Sequence, residues 1–254
     1  MLGLGASSTS IASANIYKEL SELANYADLD LHYDFSLLTG DNGDEVTAVT
    51  NLGAGGATYN IDSNDVTPLL DTTTLSRSSV LFDTNNDVLN MAAEYTTTGK
   101  AFTLFVVFQK DDTSKDVVIA ADGNDNYLKI AQNNMEMKLG TSSAFSIVCN
   151  NTNNSTINYA VVNEVPTVFV ITRQTGGNMS VFADNGLKIA VKANAAAQAG
   201  ATLAIQAVGG TAESDADLLG NICEVGLYDA NLSDANIIIL AKELSTKWGI
   251  NRRS

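Results

Sequence analysis

The sequence predicts an all-β protein, an antiparallel two-sheet jelly-roll sandwich with a short N-terminal helix and a C-terminal helix packed on the sandwich. Three observations carry that prediction. About a dozen short apolar runs follow one another beyond residue 28, separated by Gly, Asn and Asp turns and without helical periodicity between them. Leu29, Leu31, Tyr33 and Phe35 alternate with Asp30, His32 and Asp34, the pattern of a half-buried strand. Near the end, Ile237, Ala241, Leu244 and Trp248 recur at helical spacing behind Ser233.

Residues 1–27 read as an arm ahead of a jelly-roll domain spanning 28–250. The arm starts rich in Gly, Ser and Ala, and then Ile16, Leu20, Leu23 and Ala27 recur at helical spacing with Ser13 as a cap. A helix of about three turns is marginal alone, so it must pack on the sandwich or on a neighbouring subunit. After the first strand, residues 36–80 read as irregular, rich in Gly, Asn, Asp and Thr. Val80 to Phe82 and Val88 to Met91 flank the turn at Asp83 to Asp87. Ala101 to Phe108 is apolar on both faces, which marks a central strand covered on both sides.

Hairpins follow. Val117 to Ala121 turns at Asp122-Gly123 into Tyr127 to Ala131, and Asn133-Asn134 turns that into Met135 to Leu139. Phe145 to Cys149, Ile157 to Val162, Val165 to Thr172 and Met179 to Ala183 come next. Asp184-Asn185-Gly186 makes a tight turn into Leu187 to Val191. Leu203 to Val208 is a further strand, and Leu218, Ile222 and Val225 to Tyr228 make the last. The closing helix, 234–247, has Ser233 as N-cap, Asp234 in its first turn, a Leu232–Ile237 staple and Gly249 past its end.

The balance of 14 basic against 29 acidic residues gives a net charge of −15 over 254 residues. That field repels phosphate backbones and anionic lipid, which argues against nucleic-acid and membrane partners. Two cysteines, Cys149 and Cys223, exclude a disulfide framework, and Cys149 alternates with Phe145 and Ile147 as a buried thiol would. The N-terminus lacks the basic and apolar regions of a signal peptide, and no apolar run reaches the roughly 18 residues of a membrane span.

Catalytic constellations are missing from the pattern, and no catalytic or cofactor-binding residue is assigned. Retaining glycosidases need two carboxyl groups about 5 Å apart, which i, i+2, i+4 spacing on one strand supplies; no such cluster occurs, and Glu224 and Asp229 are separated by apolar residues. His32 is the one histidine and reads as a surface or edge residue. Gly53 to Gly56 lacks the lysine and helix of a phosphate cradle. Calcium is the one open metal. Asp122, Asn124 and Asn126 are spaced like the start of a calcium loop, but Tyr127 holds the glycine position, and turn chemistry explains the same residues, as it does Asp41 to Asp44.

Several segments together resemble the concanavalin A-like, laminin-G-like jelly roll found in phage virion structural proteins. Leu31-His32-Tyr33-Asp34 resembles that family's first strand. Val80-Leu81-Phe82-Asp83 with Asp87-Val88-Leu89 resembles its F-(D/N)-G-x-x-D-x-(L/I) hairpin, with Asn85-Asn86 where a glycine is usual. Val181 to Gly186 resembles its (L/V)-Y-V-N-G hairpin. Ile222 to Ser233, leading into the helix that ends at Lys247-Trp248-Gly249, resembles its last strand and closing helix. The early Trp-x-(D/N) motif is absent.

The resemblance implies a non-enzymatic virion protein, a capsid or tail decoration present in many copies or as a homo-oligomer and bound to other virion proteins. Ile11, Ile16, Leu20 and Leu23 of the arm would then be the partner-binding anchors, each worth about 1.5–3 kcal/mol if fully buried. The alternative is a lectin-like adhesion module for host-surface glycans. Sugar sites favour exposed aromatics beside amides and carboxylates. Aromatics make up only 7% of the chain, and Tyr59, Tyr95 and Tyr159 are the ones left for that role.

Overall fold

The computed structural model describes residues 29–62, 67–84, 87–99, 101–112, 116–120, 126–130, 134–139, 145–148, 159, 161–175, 177–192, 202–210 and 218–250. In chain order these form β1 (Leu29–Asp34), β2 (Ala48–Val49), β3 (Ile61–Asp62), β4 (Leu69–Asp71), β5 (Ser79–Phe82), β6 (Leu89–Thr96), β7 (Phe102–Lys110) and β8 (Asp116–Ala120). There follow β9 (Tyr127–Ile130), β10 (Asn134–Lys138), β11 (Phe145–Val148), β12 (Thr167–Arg173), β13 (Met179–Ala183), β14 (Leu187–Lys192), β15 (Ala204–Val208), β16 (Gly220–Tyr228) and the helix α1 (Asp234–Lys247).

The strands make two antiparallel sheets. One runs β14-β13-β12-β7-β16-β5-β4, with β1 also paired to β16; the other runs β11-β10-β9-β8-β15-β6-β3-β2. Between the sheets, Leu31, Tyr33, Phe82, Phe102, Leu104, Val106, Phe108, Phe169 and Ile171 meet Met91, Val118, Leu128, Ile130, Met135, Met137 and Ile205. This is the two-sheet sandwich that the strand spacing predicts, and its core is built by alternation.

Strand β7 is buried along its whole length, as its two-sided apolar sequence requires. Its other face, with β12, β13 and β16, carries Phe105, Val107, Val168, Val170, Phe182 and Tyr228 into a second cluster, closed by Leu232, Ile237, Leu240, Ala241, Leu244 and Trp248. The helix exists to cover this face. Ser233 Oγ accepts from Asn236 N at 3.3 Å, and Gly249 adopts φ 67° just past the helix, as a C-terminal cap does.

Three expectations need correction. Residues 36–80 are not merely irregular: they hold β2, β3, β4 and the start of β5, strands of two to four residues that add to the sheet edges. Phe35 leaves the first strand for a 3-10 turn, where Asp34 Oδ1 accepts from Ser36 N at 3.1 Å. Of the strand expected at 157–162, the described residues 159, 161 and 162 lie in no strand. The N-terminal arm and Cys149 lie outside the described residues. Cys223 is fully buried, and burial pushes its thiol well up, so it is inert.

One irregularity shapes the outer face. In the pairing of β16 with β7, Ile222 faces Phe108 and Glu224 faces Val107, so Cys223 is an extra residue. Regular alternation would turn Glu224 with Ile222 into the apolar core. The extra residue turns Glu224 outward instead. At the start of the same strand Gly220 adopts φ 136°, and an added Cβ would lie 2.1 Å from Gln109 O, so only glycine allows the close approach of β16 to β7 there.

Trp248→Ala should cost about 3–5 kcal/mol in denaturant unfolding, because the ring is enclosed in the second cluster and leaves a cavity. A change of a few tenths would mean that the helix is not docked.

Candidate functional site

The outer face of the first sheet is only partly covered. The helix lies over β12 and β13, and beyond it β7, β16 and β5 run on to an open end. There Asn221 sits directly between Leu81 of β5 and Gln109 of β7, three side chains in one cross-strand rung. Thr74, Asp111 and Glu164 complete the lining of a groove of about 500 Å³. Its size is that of an ordinary small-molecule site.

The Asn221 amide is held rigidly. Asn221, 1% exposed, donates from Nδ2 to Asp71 Oδ2 at 2.9 Å and to Ser79 Oγ at 3.0 Å. Its Oδ1 has no partner among the described residues. Asp71 in turn accepts from Thr73 N at 2.8 Å and Thr74 N at 3.0 Å, which fixes the turn carrying Thr74. Burial alone would raise the Asp71 pKa, but these hydrogen bonds and that from Asn221 outweigh it and hold the carboxyl at about 2. Gln109, 4% exposed, lies beside Asp111, close enough to draw that carboxyl's pKa down.

The rim is acidic. Burial pushes the Asp111 carboxyl up; the Gln109 hydrogen bond opposes this, and the carboxylates of Glu164, Asp112 and Asp71 add to the rise. Glu164 adopts φ 59°, a left-handed conformation uncommon for a residue with a side chain, and its N–H is fixed by Lys110 O at 2.7 Å. That backbone places a carboxylate at the groove.

A second concavity, about 270 Å³, lies between α1 and β1, with His32, Asp34, Arg77, Glu224 and Lys247 over Phe105 and Tyr228. Its polar groups are mutually engaged. Glu224 Oε2 accepts from Lys247 Nζ at 2.7 Å and Trp248 Nε1 at 2.9 Å, while Oε1 meets His32 Nε2 at 2.8 Å. Lys247 Nζ also stands 2.6 Å from Asp34 Oδ2. Burial opposes ionisation of Glu224, yet His32 and Lys247 lower its pKa on balance. His32, Asp34 and Glu224 offer ligand atoms within 4.8 Å of one another, as a metal site would. The Lys247 ammonium occupies that position, so the cluster is an ion-pair network that fastens the helix. His32 is therefore not a bystander at the surface: it is half-buried, edge-on to Phe105 and bonded to Glu224.

Of the calcium candidates, Asp122 and Asn124 lie outside the described residues, and Asn126 is buried with Oδ1 accepting from Ala204 N at 3.3 Å. Asp41 N donates to Asp44 Oδ2 at 2.8 Å, which is turn chemistry. Ile11, Ile16, Leu20 and Leu23 lie outside the described residues. The aromatics expected for sugar stacking are not displayed. Tyr95 is buried with its hydroxyl on Asp30, Tyr159 is buried with its hydroxyl 2.7 Å from Asp184 Oδ2, and Tyr59 packs edge-on against Tyr95. Sequence reasoning missed Gln109 and Asn221, whose adjacency exists only once the strands are in register. A polar residue at one end of each apolar strand, Gln109 late in β7 and Asn221 early in β16, was the available signal. Among the described residues no helix is long and apolar enough to cross a membrane.

No family model matches the chain, and no curated protein matches it. Solved structures do. The binding domain of Paraclostridial Mosquitocidal Protein 1 aligns with TM-score 0.56 at 12% identity, over 84% of this chain and 52% of that one. The botulinum neurotoxin serotype D ligand-binding domain, solved in complex with N-acetylneuraminic acid, aligns with TM-score 0.57 at 11% identity, over 88% and 52%. The botulinum neurotoxin type G receptor-binding domain aligns with TM-score 0.51 at 12% identity, over 84% and 51%. The chain spans about half the length of these structures. At such identities the likeness is one of fold, a β-sandwich with jelly-roll character.

Asp71 yields a pH prediction. Its folded pKa of about 2 lies below the unfolded value, so it contributes stability above about pH 4, lost as pH falls toward about pH 2. Asp71→Asn should therefore melt below the parent at neutral pH, with the gap shrinking through that window. A gap independent of pH would show that the hydrogen-bonded carboxylate contributes nothing.

Proposed function

We propose that this chain is a non-catalytic glycan-binding β-sandwich module, with the open groove on the first sheet as its site. The rung Leu81–Asn221–Gln109 carries the reading. Two amides, each more than nine-tenths buried, face an open groove beside two carboxylates, and Asn221 Oδ1 is left for a ligand. Fixed amides and carboxylates beside an apolar contact offer the directional hydrogen bonds that sugar hydroxyls need. Support of a coarser kind comes from the fold. The solved structures sharing it are named as binding domains, one of them in complex with N-acetylneuraminic acid.

Particle decoration is the less supported reading. It rests on the N-terminal arm and on resemblance of motifs, and none of the three aligned structures is named as a virus-particle protein. Among the described residues hydrolysis has no machinery in its favour. Glu224 has both oxygens committed to His32, Lys247 and Trp248. Asp111 and Glu164 are exposed loop carboxylates, open to water rather than enclosed as a tuned general acid is.

A glycan array followed by calorimetric titration of the best ligand tests this. Gln109→Ala should weaken binding about tenfold or more, the loss of one or two hydrogen bonds to a ligand. Arg77→Ala, in the concavity under the helix, should leave affinity unchanged. The reading fails if no glycan binds, or if Arg77→Ala abolishes binding that Gln109→Ala leaves intact.

A further inference from the structure

We infer that the groove selects sugars without an anionic group, and that it discriminates against sialylated and other acidic glycans; this rests on the glycan-binding reading above. The lining explains why. Its described residues, Thr74, Leu81, Gln109, Asp111, Glu164 and Asn221, include two carboxylates and neither lysine nor arginine. Lys110, next in sequence to Gln109, projects from the opposite face of β7, where its Nζ is buried against Asp116 and 3.2 Å from Ile130 O. Arg77 is held away in the concavity under the helix, with Nε on Lys247 O at 2.9 Å. Among the described residues no cation is therefore at hand to neutralise a bound carboxylate or sulfate.

The hydrogen-bonding capacity points the same way. Ionised Asp111 and Glu164 accept only, and Asn221 has spent Nδ2 on Asp71 and Ser79, which leaves its accepting oxygen. The other side-chain donors of the described lining, Thr74 and Gln109, stand against the Asp71 and Asp111 carboxylates. Such a groove matches a ligand rich in donors, which a neutral sugar is through its hydroxyls. A sugar carboxylate brings only acceptors and a charge of the wrong sign. At about 5 Å from one of the groove carboxylates, a partly screened like charge costs roughly tenfold to a hundredfold in affinity. The net charge of −15 adds long-range repulsion to the local one.

The test uses neutral oligosaccharides, each paired on the array with its sialylated form. Neutral forms should bind about tenfold or more tighter than their sialylated partners at low salt. About 1 M sodium chloride should narrow the ratio, because exposed charges are screened at that strength. In Asp111→Asn/Glu164→Gln, checked for an unchanged circular dichroism spectrum, the sialylated forms should gain relative to the neutral ones. Sialylated forms binding as well or better in the parent protein would overturn charge selection while leaving glycan binding intact. A ratio indifferent to both salt and the double substitution would also overturn it. Failure of every glycan to bind would remove the reading beneath it as well.

Discussion

The extra residue in β16 is the constraint on which the outer face depends. With Ile222 opposite Phe108 and Glu224 opposite Val107, Cys223 breaks the alternation once. Upstream of the break Asn221 faces outward; downstream Glu224 does too. A strand of strict period two would have placed one of these polar side chains between the sheets, among Phe108, Val106 and Leu227. An unpaired buried carboxylate costs several kcal/mol, so the register of β16 against β7 is fixed by where Glu224 can go.

From that placement the face divides into two uses. Around Glu224 the helix is fastened: Trp248 and Lys247 donate to it, and His32 ties it to the first strand. A buried ionic network of this kind contributes little net stability over an apolar alternative, but removing one member strands the others. Its clearer effect is on geometry, since it sets where along the sheet the helix ends. Apolar burial of Ile237, Leu240, Leu244 and Trp248 supplies the holding energy, about 1.5–3 kcal/mol for each large side chain. Around Asn221 the face stays open, because the helix axis lies over β12 and β13 and its last turn stops at Glu224. The groove is what the helix leaves uncovered.

Much of this was legible in the sequence wherever a pattern extended over several residues. The alternation from Leu29 to Asp34, the two-sided apolar run of β7 and the capped stripe ending at Trp248 each predict the element found. Strands β2, β3 and β4 were not legible, because two or three residues carry no period, and their strand character comes from the neighbour they pair with. The site was less legible than the fold. Gln109 and Asn221 lie more than a hundred positions apart, and only the β7–β16 register brings them together. Glu164 owes its direction to a left-handed backbone that glutamate does not advertise. Tyr95 and Tyr159 turn inward instead of lining a site, since their hydroxyls satisfy Asp30 and Asp184.

The central claim is that ligand recognition resides at the amide rung and not under the helix. Two sets of nitrogen-bound protons report on these places separately: the side-chain amides of Gln109 and Asn221, and the indole of Trp248, the one tryptophan in the chain. Nitrogen–proton correlation spectra recorded while a neutral oligosaccharide is titrated into the labelled protein would follow both at once. The account predicts that the Gln109 and Asn221 amide signals move with saturation while the Trp248 indole stays fixed. Movement of the Trp248 indole with the two amides unchanged would place the ligand beneath the helix and contradict it.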